Sequence, residues 1–261
     1  MYRIWQTQPD YSHGFLVPFL AVGLAWARRD LIPEQKPAPV VGLALVLLGL
    51  FVRYAAEIYF FTPIVNWSIL ILIAGAVTAA CGLRVLWWAC PAILFLGFAM
   101  PLPYQAEVML RQPLQMLATK ISSAALVIVG FPAVAEGSVI RIGTEVYGVS
   151  EACSGLRIFW GIAAFAYAIA VFSRRMWLSK LLLVFSVIPV AIVANSVRII
   201  VTCILFEKAG TEIAKKFSHD IAGIFMVPLA VVLLLGVYRL IASVFQEVTA
   251  ESIFKSASPR I

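Results

Sequence analysis

The sequence predicts an all-α polytopic membrane protein: about seven transmembrane helices, interfacial helices beside them and a small external β-hairpin. Three observations carry this expectation. Of the 261 residues, 62% are hydrophobic and 13% charged, where a soluble domain has about a quarter charged. Mean hydropathy is +0.98. The apolar residues also fall into separate runs, several near the roughly 20 residues that a spanning helix needs. No room is left for a sizeable soluble domain, so 1–261 reads as one integral-membrane domain whose surroundings are the lipid bilayer.

The runs follow one another with short connections. Phe15 to Ala27 is short and stops at Arg28-Arg29. Val41 to Phe61 is a full span, after which Pro63 turns the chain. Ile64 to Cys81 ends at Gly82-Leu83-Arg84, and Val85 to Leu102 returns to stop between Pro101 and Pro103. Leu156 to Phe172 ends at Ser173-Arg174-Arg175, Leu181 to Phe206 encloses Arg198, and Ile221 to Val244 precedes a polar tail.

The region 104–150 differs. Tyr104 to Val129 mixes apolar residues with Glu107, Arg111 and Lys120 around Pro113, which predicts interfacial helices at the membrane surface. From Gly137 to Val149 apolar and polar residues alternate, with Gly143 and Gly148 as punctuation, the pattern of a β-hairpin. Strands exposed to lipid leave backbone groups unpaired, so this piece must rest on protein or in water.

The formal charge of +7 is scattered over the ends of the runs and forms no basic stripe with aromatics, so no nucleic-acid partner is expected. The 20 Lys and Arg residues divide evenly between the two membrane sides. The pairs Arg28-Arg29 and Arg174-Arg175 favour the cytoplasm for their side, which puts the opposite ends outside. Cys81, Cys90 and Cys203 sit in or at the ends of apolar runs and read as packed thiols. No carboxylate pair, Ser-His-Asp order, phosphate loop or metal-ligand spacing appears, and no metal or organic cofactor is implied.

Polar residues at that outer end are the candidates for chemistry, because ionisable groups in or beside a span are costly to keep there. Cys153 stands in Glu151-Ala-Cys-Ser-Gly155 at the foot of the run that begins at Leu156. Ser154 as N-cap would place the thiol in the field of the first-turn N–H groups, which favours thiolate; a small residue easing a tight turn is the alternative. Arg198 lies one turn after Asn195, so both share a face. The guanidinium suits a carboxylate or a developing oxyanion, or else pairs with Glu151 or Glu207 or snorkels to the interface. His219 and Asp220 open the last run, and His219 can carry a proton near neutral pH. Glu151 is available to orient His219 or Arg198. His13, the other histidine, precedes the first run on the same side as the site. Nucleophile, charge stabiliser and proton carrier make the minimum set for thiol acyl transfer.

With these residues in place, the chain resembles the exosortases, multi-pass membrane cysteine transpeptidases of bacteria. The likeness lies in Glu151-Ala-Cys-Ser-Gly-Leu-Arg157, Asn195-x-x-Arg198, His219-Asp220 and the early Tyr11-Ser-His-Gly-Phe-Leu-Val-Pro18, in that family's order. It implies Cys153 as nucleophile, Arg198 as second and His219 as third catalytic residue, with Glu151, Ser154, Arg157, Asn195, Asp220 and His13 supporting or binding substrate. The related archaeosortases tend to carry Arg at the third position. The implied substrates are exported proteins ending in a sorting signal of the PEP-CTERM type, a short motif followed by a membrane helix and a basic cluster. The signal would be cleaved on the outer, periplasmic face of the cytoplasmic membrane and the protein passed to an unknown acceptor nucleophile, in bacteria that make exopolysaccharide. The family usually has a span before the Tyr-Ser-His-Gly segment, whereas here Met1 lies ten residues before Tyr11; a late start or a shortened member is the expectation. The competing expectation is a transporter or exopolysaccharide-export component in which Arg198 and His219 line a polar path.

Overall fold

The computed structural model describes residues 1–148, 155–173, 175–210 and 222–245, with 212 and 214. Ten α-helices are described: α1 (Tyr2–Thr7), α2 (Val17–Ala27), α3 (Pro39–Ile58), α4 (Thr62–Cys81), α5 (Leu83–Phe95), α6 (Tyr104–Ile128), α7 (Leu156–Phe172), α8 (Trp177–Phe185), α9 (Val187–Ala209) and α10 (Ala222–Val244). Short 3-10 segments run over Pro9–Phe15, Arg29–Leu31 and Leu96–Ala99. Prolines open α2, α3 and α4, where the missing N–H would have had no helical partner and the fixed φ suits the first turn.

Each of the seven apolar runs is helical, but the number of crossings is not seven by length. Four helices among the described residues are long and apolar enough to cross: Pro39–Ile58, Thr62–Cys81, Trp177–Ala209 and Phe225–Val244. Leu83–Ala99 and Tyr104–Ile128, bent by 79°, make a fifth if taken as one broken span. Val17–Ala27 and Leu156–Phe172 are shorter apolar helices. The run 181–206 begins earlier, at Trp177, and is interrupted at Ser186. Pro189 supplies the reason, since it cannot donate to the Phe185 carbonyl and its ring crowds that turn.

The helix α3 packs along α4, with Gly42 against Ala79 and Gly49 against Leu72. Small residues allow this close approach without a water-driven apolar effect. The outer faces of the pair present Leu43, Leu47, Phe51 and Tyr54, a surface suited to lipid. The interior lies elsewhere, in three clusters. One joins α7, α8, α9 and α10 through Ile158, Ile162, Leu183, Val187, Ala194, Met226 and Leu234. A second joins α6 and α9 to the sheet. A third joins α2, α5 and the 96–99 segment, with α7 against it. The helix α9 serves two clusters and α7 the other pairing, so these two are the inner helices.

The expected hairpin is a three-stranded antiparallel meander: β1 (Ala133–Glu136), β2 (Val139–Ile142) and β3 (Glu145–Gly148). Ala133 pairs with Ile142, and Ile140 with Tyr147. The side chains of Ala133, Ile140 and Ile142 face Leu126 of α6 and Ile199 and Cys203 of α9. Arg141 and Glu136 pair on the other face at 2.9 Å. The sheet therefore rests on protein, as strands beside a bilayer must. The first strand escaped the sequence pattern because Ala-Val-Ala-Glu alternates too weakly to register.

Tyr104 to Val129 forms one helix rather than several. Its inner face carries Thr119, Ser122 and Ser123, all buried. Ser122 donates to the Ser196 carbonyl of α9 (3.2 Å), and Ser196 donates to Ala118 (3.4 Å) and Ile192 (2.8 Å) carbonyls. These buried hydroxyls belong to the contact with α9, whereas Glu107 and Arg111 lie 3.9 Å from each other and Lys120 is exposed.

Candidate functional site

The site is best followed along α9. Asn195, Ser196, Arg198 and Thr202 are all buried in its middle, with Arg198 only 6% exposed. A central Arg in a membrane helix costs about 2.5–3.5 kcal/mol on insertion scales, so the fold holds a guanidinium where most sequences would place an apolar residue. Asn195 and Arg198 lie about 4.5 Å apart along the axis. Thr202, one further turn on, buries an Oγ1 that finds no hydrogen-bond partner among the described residues, and the indole N–H of Trp160 on α7 is orphaned in the same way. Neither was singled out from the sequence. The signal for Thr202 was its spacing of four from Arg198 and seven from Asn195.

The N-terminus of α7 meets this stretch of α9. Gly155, rather than Ser154, is the N-cap, with φ +79°. That left-handed value is open to glycine and strained for other residues. A Cβ there would lie 3.3 Å from the Asn195 side chain, so the chain immediately after Cys153-Ser154 rests on Asn195. The Gly155 carbonyl accepts from Phe159 at 2.8 Å and starts the helix. Arg157 is half-buried in the first turn.

The core shared by α7, α9 and α10 fixes the level of this meeting. Its members begin at Ile158 on α7 and at Met226 on α10, and on α9 they end at Ala194. Asn195 and Arg198 thus lie just past one end of that core, the end at which α7 and α10 both begin. Cys153, Glu151, Ser154, His219 and Asp220 lie outside the described residues.

The same order of contacts orients the rest. Phe98 meets Trp160 (ring centroids 5.8 Å), Tyr167 donates to the Pro91 carbonyl (3.1 Å), and Arg28 donates to the Trp88 carbonyl (2.9 Å). Arg28 therefore lies at the far end of α7 from Gly155. His13 lies at the near end, where its Nε2 donates to the Phe98 carbonyl (2.9 Å); a carbonyl only accepts, so the proton sits on Nε2.

Glu207, one expected partner of Arg198, accepts instead from Tyr147 of the sheet (2.8 Å). Burial, that hydrogen bond and the Glu207 and Glu145 carboxylates push the Tyr147 hydroxyl up to about 12. Of the other cysteines, Cys203 is buried beneath the sheet, and Cys81 and Cys90 are partly covered free thiols.

Compared with protein families, residues 5–236 match the one described as transmembrane exosortase. The chain belongs to the transmembrane exosortase family. The match covers most of the chain, including the early Tyr-Ser-His-Gly segment, most of the three interior clusters and the polar stretch of α9. With its several apolar helices, this exosortase is a multi-pass membrane protein. No curated protein and no solved structure matches it.

Proposed function

We propose that this exosortase is a cysteine transpeptidase that cleaves C-terminal sorting signals of exported proteins at the outer face of the bacterial inner membrane. The observation that carries the reading is the contact of Gly155 with Asn195, one turn from buried Arg198. Two Cα–Cα steps keep Cys153 within about 8 Å of Gly155 whatever their direction. His219 lies three residues before Ala222, the first residue of α10, which starts at the same end of the core. This nearness along the chain supports reading thiol, guanidinium and imidazole as one site.

In this reading the Cys153 thiolate attacks the scissile carbonyl, and Arg198 stabilises the oxyanion. The C–N bond breaks, the leaving amine takes a proton from His219, and a thioester to Cys153 remains. An acceptor nucleophile then gives its proton to His219 and displaces the thiolate, which restores the starting state. Asn195, Arg157, Glu151 and Asp220 support this set, and the protein substrate reaches the site from the bilayer with its own membrane helix.

The test is capture of the intermediate. With a sorting-signal substrate and no acceptor, intact mass should show the substrate's N-terminal part added to the enzyme. Hydroxylamine should release it, as it does a thioester, and Cys153→Ala should never carry it. An adduct that survives hydroxylamine or forms on the Ala variant would end the proposal.

A further inference from the structure

The break between α5 and α6 frees backbone groups, and four side chains meet them. Trp5 Nε1 donates to the Ala99 carbonyl (2.8 Å), His13 Nε2 to Phe98 (2.9 Å) and Trp67 Nε1 to Pro101 (3.1 Å). The Leu102 N–H donates to the Tyr11 hydroxyl (3.2 Å). Tyr11 is 2% exposed. Gly14 allows the arrangement, because a Cβ there would collide with the Trp5 indole. A buried backbone group left unpaired costs about 1–3 kcal/mol, so these contacts support the 79° bend. The braced segment is not remote from α7. The Phe98 ring sits between Trp160 and Tyr167, at 5.8 Å from each, and Pro9–Phe15 itself packs on α7.

We propose that Trp5, Tyr11 and His13 form a positioning brace: they hold the 96–102 break and, through Phe98 on Trp160, set where the first turn of α7 stands. His13 then acts by its Nε2 N–H donor and not as a proton carrier. This separates the chain's two histidines, leaving proton transfer to His219. The brace itself stands on contacts within the fold; only its effect on turnover rests on the transpeptidase reading.

The test uses the full-length protein in membranes and two variants. His13→Gln keeps an N–H donor of similar reach and removes the imidazole, and His13→Ala removes both. The readouts are target processing and the labelling rate of Cys153 by a membrane-impermeant maleimide. The Ala variant should lose about tenfold in processing, the scale of one lost buried hydrogen bond, and should change the labelling rate, while Gln restores most of both. Loss of ~10²–10⁴-fold in the Gln variant would mean imidazole chemistry at His13 and overturn the proposal. So would wild-type behaviour of the Ala variant. If the Ala protein fails to accumulate, the Gln variant alone decides by the same limits. Labelling needs no catalysis, so a brace that fails is distinguishable from a transpeptidase reading that fails.

Discussion

Gly155 lies directly against Asn195, so the residue that opens α7 and the residue one turn below Arg198 are in contact. A small left-handed residue on one helix and a buried amide on another thereby join two motifs that are forty residues apart in the chain.

Replacing Gly155 tests that joint. Alanine there must adopt φ near +79°, costing roughly 1–2 kcal/mol, with its methyl tight against Asn195. Gly155→Ala should lower the denaturation midpoint in detergent and reduce target processing by more than the fall in accumulated protein explains. An equal fall in both would make Gly155 a folding residue only.

Thr202 gives a prediction of opposite sign for stability. Its unpartnered buried hydroxyl costs about 1–3 kcal/mol, and valine has nearly the same shape. Thr202→Val should therefore be at least as stable as the parent. A simultaneous drop in processing would mark the hydroxyl as a substrate or water contact, and unchanged processing would remove Thr202 from the site.

Much of this was legible in the chain because the bilayer imposes long apolar runs, and every such run is a helix. The counting was less secure. Length alone does not tell a crossing from a short inner helix such as α7, and the 79° bend between α5 and α6 depends on Trp5, Tyr11, His13 and Trp67 reaching across the sequence. The polar residues of α6 are of two kinds: Lys120 is exposed, while Ser122 meets a partner that composition does not reveal. Ser196 on α9 is that partner, seventy-four residues from Ser122. For the site, Arg198 and Asn195 stood out as polar residues in an apolar span. Thr202 and Trp160 did not, since each is unremarkable until its polar atom is seen to lack a partner.

Tyr147 links the sheet to the end of α9, and its titration has a definite sign. The folded hydroxyl is raised from 10 to about 12, so the folded state holds its proton longer than the unfolded chain does. The corresponding stability is complete below pH 10 and is lost as pH rises through about 12. Thermal scans of the wild type should show that alkaline loss, and Tyr147→Phe should show a flatter profile there with a modest loss at neutral pH. Identical slopes would separate Tyr147 from the anchoring of the sheet.

Arg198→Lys keeps the charge but removes the planar fork. If Arg198 makes paired hydrogen bonds to the reacting carbonyl, the variant should accumulate normally and process target at least tenfold more slowly, the equivalent of about 1.4 kcal/mol of transition-state stabilisation. Near-normal processing would leave Arg198 only a charge-balancing role.

The most direct measurement compares uncleaved target protein in membranes carrying wild-type enzyme or Cys153→Ala. The account predicts that the variant inserts and accumulates like the wild type, while its target remains full length with the sorting signal attached. Normal processing by Cys153→Ala would contradict the thioester route and favour a transport role for the buried polar residues of α9.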